Sequence, residues 1–337
     1  MTTYPGYVNL QSGKDAVLAA VAQDGWALEF ASPELQNDRE VVLVALESWG
    51  RALKDASPDL RSDKEVVLAA VKQDGLALRY ALAELKSDKD VVLAAAKQDG
   101  LALEYAWRHL KNDKEVVLAA VGSRGLVLEY ASRELTNDKE VVLAAVGSCG
   151  RALKYAMPHL KKDKEVVLVA VKQDCLALEF ASPELKNDKE VVLMAVGSWG
   201  WALKDASPEM KNEKEVVLAA VVNWGRALEF ASQALKNDEE VVLAATGSWG
   251  WALKDASPYL QNEKKVVLGA VKQDGSALEF ASQALKNDRE VVLAATESSV
   301  HALQYASLEL QEWVREGVHG AQENTSSIYA PSRRMSK

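Results

Sequence analysis

The sequence predicts an all-α protein, an α-solenoid (superhelix) of twelve 25-residue two-helix repeats, and three observations predict it. The phrase DKEVVLAAV begins at Asp63, Asp113 and Asp138, with close copies from Asp38, Asp88, Asp163, Asp188, Glu213, Asp238, Glu263 and Asp288. Each start lies 25 residues after the last without an insertion; with a weaker first copy from Gly13, the array covers residues 13–312. Finally, the run VVLAAV is apolar nearly all round a helix, so it needs cover on several sides that a lone unit cannot supply and stacked neighbours can. Residues 1–12 read as a lead-in. Residues 313–337 read as the end of a capping helix and a polar, disordered tail. At about 8–10 Å per packed layer the array predicts a rod or superhelix of about 100 Å.

Numbering each unit 1–25 from its Asp, a typical copy is DKEVVLAAVKQDGLALEYASPELKN. Asn or Ser at position 25 with an acid at position 3 of the next unit predicts a capping box, as in Asn112 with Glu115, Asn187 with Glu190 and Ser12 with Asp15. The acids at positions 1 and 3 also suit the positive end of a helix running through VVLAAV to position 12. Position 13 is Gly in ten of twelve units, which predicts a left-handed residue ending that helix. Cys175 and Val300 break the rule, and keeping that geometry would cost each about 1–2 kcal/mol. A shorter helix, LALEYAS, follows. Six units then carry Pro at position 21 (Pro33, Pro58, Pro158, Pro183, Pro208, Pro258), reading as a Ser cap with Pro opening a final turn. After the last unit, Leu310, Trp313, Val314 and Val318 in LELQEWVREGV predict a helix over the array's end.

The phrase assembled from Asp38–Leu43, Lys72–Gly75 and Trp26–Ser32 resembles the tandem helical repeat known as domain of unknown function 4116. The resemblance covers nearly the whole array and implies arrays of paired 25-residue units, with no activity, cofactor or catalytic residue attached. The alternation of segments is also similar to the leucine-rich variant repeat, a solenoid of short α and 3-10 pieces.

With composition and motifs, chemistry is mostly excluded. The 40 basic against 49 acidic residues give a net charge of −9, and 48% hydrophobic residues suit a folded, acidic chain. No apolar run reaches the 18 or so residues of a membrane span, and the first residues lack the pattern of a secretory signal, so the expected compartment is cytoplasmic. The sequon Asn324-Thr325-Ser326 then carries no consequence. Nucleotide-binding, zinc-protease, hydrolase and calcium-loop signatures are missing, so no enzyme, cofactor or metal site is expected. His109 and His159 share position 22 two units apart, too far for one zinc. Cys149 and Cys175 read as free thiols. Lys or Arg at position 2 in eleven units, and often at 24, would suit single-stranded RNA, but flanking acids cancel the field and leave a salt-bridged rim as the simpler reading.

Variation among copies is where function is legible. Positions 4–9, 15, 16 and 19 barely change, as repeated packing requires. Position 14 takes Trp26, Arg51, Leu76, Arg151, Trp201, Arg226, Trp251, Ser276 and His301, a list no core site accepts. Positions 12 and 18 exchange an aromatic and a carboxylate: Asp74/Tyr80 and Asp174/Phe180 in some units, Trp49/Asp55, Trp199/Asp205 and Trp249/Asp255 in others. The two side chains are expected to share one space, with Trp224/Phe230 the exception. GSWGWALKDAS occurs at 197–207 and again at 247–257, consistent with duplication of two units. The expected role is a protein–protein interaction scaffold that binds through a helix-corner edge of Trp26, Arg51, Arg151, Trp199, Trp201, Arg226, Trp249 and Trp251. An architectural spacer without a discrete ligand site is the alternative, and RNA binding the third reading. The basic end of the tail, Arg333, Arg334 and Lys337, is a candidate recognition motif.

Overall fold

The computed structural model describes residues 13–315. Among them are twelve α-helices of ten residues, twelve 3-10 helices of six, short turns closing the repeats, and no strand. The chain forms two compact units, Met1–Leu185 and Lys186–Lys337, and each is a stack of repeats. The third repeat shows the pattern: α-helix Lys64–Gln73, 3-10 helix Gly75–Tyr80, and a 3-10 turn Leu85–Ser87. In the first two repeats the closing turn is α-helical, Pro33–Gln36 and Pro58–Arg61, with the preceding serine accepting from the third N–H and Pro opening the turn. Beyond Ser307 a helix covers 308–315. Val318 and the tail motif lie outside the described residues.

The first helix starts one residue later than the capping-box pattern implies. The cap is the Asp at position 1, whose Oδ1 accepts from the N–H groups of positions 3 and 4 (Asp63 from Glu65 at 2.9 Å and Val66 at 3.1 Å). Asn at position 25 instead accepts from the serine at position 20 of the following repeat: Asn112 from Ser132 and Asn187 from Ser207. A shorter reach wins, since Asp63 already satisfies the orphan donors. The Ser12 pairing lies outside the described residues.

Positions 4, 5, 8 and 9 form the buried face. In the third repeat Val66, Val67, Ala70 and Val71 are fully buried. Leu68 and Ala69, at positions 6 and 7, are only half-buried, so the helix is covered on one broad face and not all round. The second segment is 3-10 because its i to i+3 bonds (Ala77 N–H to Asp74 O, 2.9 Å) place Gly75, Leu78 and Ala81 above one another on the inner side. Positions 14 and 17 are likewise eclipsed, and point outward.

The glycine at position 13 is not left-handed. No described glycine or other residue has a positive φ. What demands glycine is the neighbour: a Cβ on Gly150 would lie 2.2 Å from the carbonyl oxygen of Ala170 and 3.0 Å from the backbone nitrogen of Asp174 in the next repeat. A Cβ on any of the ten such glycines would lie 2.1–2.7 Å from the next helix's position-8 carbonyl oxygen. The two exceptions carry no left-handed strain. Cys175 stands in the last repeat of the N-terminal unit, and Val300, 80% exposed, in the last repeat of the C-terminal one. Glycine is thus present wherever another repeat of the same unit follows.

Stacking is reinforced on two sides. Lys or Arg at position 2 reaches both acids of the next repeat, as Lys64 does with Asp88 and Asp90 at 2.8 Å each. Arg39 does the same with Asp63 and Glu65. Where position 2 is Glu239, position 3 of the next repeat is Lys265 and the pair forms in reverse at 2.6 Å. Near the corner, Gly N–H donates to the position-11 side chain of the next repeat, to Gln98 Oε1 from Gly75 and to Ser148 Oγ from Gly125.

Candidate functional site

The corner between the two helices is built by position 12, an extended residue (φ near −150°) that ends the α-helix and caps the 3-10 helix. Where it is Asp, one carboxylate oxygen accepts the N–H of position 14, as Asp74 does from Leu76 at 2.9 Å. The other oxygen is free to take a cation from the preceding repeat. Position 14 supplies it: Arg51 reaches Asp74 at 2.5 Å and Arg151 reaches Asp174 at 2.7 Å. Where position 12 is Trp, no such cap forms, and position 14 of the preceding repeat meets a ring instead. Arg226 lies over Trp249 with 6.0 Å to the ring centre, and also pairs with Glu229 at 3.6 Å. Trp201 meets Trp224 edge-on at 5.3 Å.

In the C-terminal unit this contact rule gathers rings. Trp199 and Trp201 stack at 6.1 Å, Trp201 meets Phe230 edge-on at 5.1 Å, and Trp224 lies nearly parallel to Phe230 at 6.4 Å. Trp224 and Phe230 are the two-ring exception at positions 12 and 18, so these positions do border one space. Trp251 forms a separate pair with Phe280 at 5.3 Å. Lys204 sits over Trp201 and Lys254 over Trp249, at 5.3 and 5.6 Å. A shallow cleft of about 400 Å³ opens between Trp224, Arg226 and Trp249.

In the N-terminal unit the predicted residues stand apart. Trp26 is half-buried against Phe30, edge-on at 4.9 Å, while Arg51 and Arg151 are each held by their aspartates. Position 14 is mostly half-buried, with Arg151, Arg226 and Leu126 among its exposed members. The most exposed of the named tryptophans is Trp199, at position 12, with 42% of its surface free.

Two carboxylates in Trp-type repeats are under-satisfied. Asp55 and Asp255, at position 18, each have one buried oxygen without a hydrogen-bond partner. Burial pushes the Asp55 carboxyl up to about 6 against the pull of Lys54, which lies 3.6 Å away, and it raises Asp255 in the same way. These groups are the cost of placing Trp at position 12: the acid moves to 18 and loses the amide partner that Asp has at 12.

Sequence reasoning missed what the cations at position 24 do. Lys86, Lys111, Lys161 and Lys211 each donate Nζ to the position-17 carbonyl of their own repeat, at 2.6–2.8 Å, and burial lowers their pKa. Gln36, Gln261 and Gln311 make the same bond, which was the available signal that position 24 closes the 3-10 helix. The basic ladder is therefore engaged within the chain at position 2 and at these four lysines of position 24, whereas the buried Nε of Arg61, also at position 24, has no hydrogen-bond partner. His109 and His159 are exposed, Cys149 and Cys175 are free half-buried thiols, and no group of three metal-ligating side chains occurs among the described residues. Nor is any described helix long and apolar enough to cross a membrane.

Fold and corner together define an all-α repeat solenoid whose repeats, within each unit, stack through one periodic set of contacts. The sequence profile of the family described as domain of unknown function 4116 matches it eight times, at residues 14–61, 38–86, 63–111, 88–136, 113–161, 163–211, 213–261 and 263–311, each match spanning two repeats. The chain belongs to that family. No curated protein and no solved structure matches it.

Proposed function

We propose that this chain is a non-enzymatic scaffold that binds a protein partner through the corner edge of its C-terminal unit. The observation that carries the reading is the concentration there of five tryptophans, Trp199, Trp201, Trp224, Trp249 and Trp251, with Trp199 exposed and Arg226 beside an open cleft. Large aromatics and Arg near the centre of a surface are the residues that dominate binding energy between proteins. A stacked array holds them in fixed relative positions, so little conformational freedom is lost on association.

The test is affinity capture with the wild-type chain and with Trp199→Ser/Arg226→Ser, followed by titration of the purified captured protein. Both residues are exposed and make only surface contacts within the chain, so the melting point is expected to fall by a few degrees at most while affinity falls by about tenfold or more. Equal affinity of both chains would refute the corner as the binding surface. A spacer role is the second reading, favoured by Arg51 and Arg151, whose guanidiniums are spent on the next repeat. It expects a stoichiometric assembly that survives those substitutions.

A further inference from the structure

The closing turns carry a second edge, on a surface other than the corner. The backbone N–H of position 20 donates to the position-24 carbonyl of the preceding repeat: Leu82 to Arg61, Trp107 to Lys86, Ser132 to Lys111 and Met157 to Thr136, at 2.8–3.1 Å. These bonds align the closing turns of consecutive repeats into one row. Elsewhere position 20 is serine, and where Asn precedes it at position 25 the hydroxyl adds a second rung, as Ser57 does with Asn37 and Ser232 with Asn212; Ser182, which follows Lys162, lacks that rung.

Three repeats of the N-terminal unit abandon that rung. Leu82, Trp107 and Met157 replace the serine, and the residues facing Leu82 and Trp107 are Ser62 and Ser87 in place of Asn. Leu82 is 36% exposed and Trp107 50%. The residues beside them change in the same stretch. Arg108 and Arg133 stand at position 21 and His109 and His159 at position 22, where the other repeats carry no basic residue. All four are exposed, and neither arginine lies within ion-pair distance of a carboxylate among the described residues. Glu84 and Glu134 are the acids of this stretch, with Lys86, Lys111 and Lys161 standing just behind it. Stacking explains only part of these departures: the backbone rungs persist unchanged, yet half of Trp107 and about a third of Leu82 stay in water, while Met157 is half-buried. Exposed apolar side chains between uncommitted guanidiniums mark a surface for a ligand of opposite charge.

We propose that this row docks an acidic peptide segment of a partner protein. Its apolar side chains pack on Trp107 and Leu82, and its carboxylates pair with Arg108 and Arg133. Single-stranded RNA also fits a Trp flanked by Arg in principle. The observations favour the peptide: two of the three apolar replacements are aliphatic and offer no ring on which a base stacks.

The test uses the full chain and a fluorescein-labelled peptide in which glutamates alternate with leucine and phenylalanine, followed by anisotropy. A lysine-for-glutamate version of the peptide and labelled oligouridylate serve as comparators. One variant restores the rung, Leu82→Ser/Trp107→Ser with Ser62→Asn/Ser87→Asn, and the other is Arg108→Glu/Arg133→Glu. The first returns the row to the chain's own majority residues, so folding is preserved and its melting point is expected to hold or rise. The acidic peptide is expected to bind the wild-type chain, more weakly as salt rises, and to lose about tenfold in affinity with each variant. Failure of the wild-type chain to bind it, or equal binding by the restored variant, overturns the proposal. So does tighter binding of oligouridylate or the basic peptide that is lost in the same variants.

Discussion

Two glycines three residues apart in the fifth repeat should respond to alanine in opposite directions. Gly122 lies inside the helix Lys114–Ser123, and a Cβ built there meets nothing within 4 Å. Gly122→Ala therefore only removes a helix-interior glycine, a gain of about 0.5–1 kcal/mol. A Cβ on Gly125 would lie 2.2 Å from the Ala145 carbonyl oxygen, 2.8 Å from the Cys149 nitrogen and 3.0 Å from Cys149 Cβ. The carbonyl cannot swing away, because it accepts the Cys149 N–H at 2.9 Å and so ends the helix. The repeats would have to part by about 1 Å to restore ordinary contact. That loosens an interface whose side chains Val141, Val142, Ala145 and Leu128 are fully buried. Overpacking a core costs about 1–3 kcal/mol when side chains yield, so a clash against fixed backbone belongs at about 3 kcal/mol or above. At about 2–4 °C per kcal/mol for a body of 150–250 residues, Gly122→Ala should melt about 2 °C higher and Gly125→Ala at least about 6 °C lower. Because stability in a stack sums over neighbour interfaces, the second transition should also broaden or split. Thermal circular dichroism on both variants reads this directly. A Gly125→Ala chain melting within a degree of wild type would show that the repeats do not approach as closely as the argument requires.

Three further outcomes follow from the same contacts. Glu239→Lys places like charges at the reversed rung and should lower stability, whereas Glu239→Lys/Lys265→Glu should restore it, with the difference vanishing in high salt; a double-mutant cycle measures the coupling. The raised Asp55 carboxyl binds protons more tightly in the folded than the unfolded chain, so its share of stability is present below about pH 4 and lost as pH rises through about 6. Asp55→Asn should therefore gain up to about 3 kcal/mol at neutral pH and flatten the stability profile between those values, which urea titrations across pH check. Several Asp residues at position 1 behave oppositely. Asp138, for example, is held below the usual carboxylate range by its bond from Lys114, so the stability it contributes is present at neutral pH and lost only as pH falls through about 4 and below; acid titration should show the loss diminished in Lys114→Met.

The period of 25 made the fold legible, because a stack of identical units has one core solved many times over. The helix pair, its order and the burial of positions 4, 5, 8 and 9 followed from Val, Ala and Leu recurring in place, whereas positions 6 and 7, equally apolar, are only half-buried. What the single sequence obscured were contacts made between repeats, since those link positions about 25 apart and look like local features. Gly125 reads as a helix stop and is a close approach to Ala145; Asn112 reads as a cap and is a rung to Ser132. The capping error has the same root, since Asn112 and Asp113 are both good caps and only geometry shows which oxygen faces the helix. At the corner, the exchange of ring and carboxylate between positions 12 and 18 was readable. That Arg51 and Arg151 reach the next repeat's Asp was not, although Asp recurs at position 12 of each following unit.

Stacking offers a criterion for separating packing from recognition in such a chain. A departure from the majority residue that is matched in the adjacent repeat preserves a contact: Glu239 with Lys265, or Arg226 resting on Trp249 where Arg51 pairs with Asp74. A departure with no matching contact removes one and must be kept for another reason. By that measure Trp201 and Trp251 are half accounted for, because Trp224 and Phe280 receive them, while Trp199 leaves much of its surface unused. Leu82 and Trp107 are only partly accounted for by stacking: they give up the hydroxyl rung, gain no ring or ion contact with the neighbouring repeat, and leave 36% and 50% of their surface in water at an unfavourable cost. Apolar surface left in water beyond such contacts is where a test for a partner belongs: the free part of Trp199, which also stacks on Trp201, in one unit, and the Leu82–Trp107 row in the other.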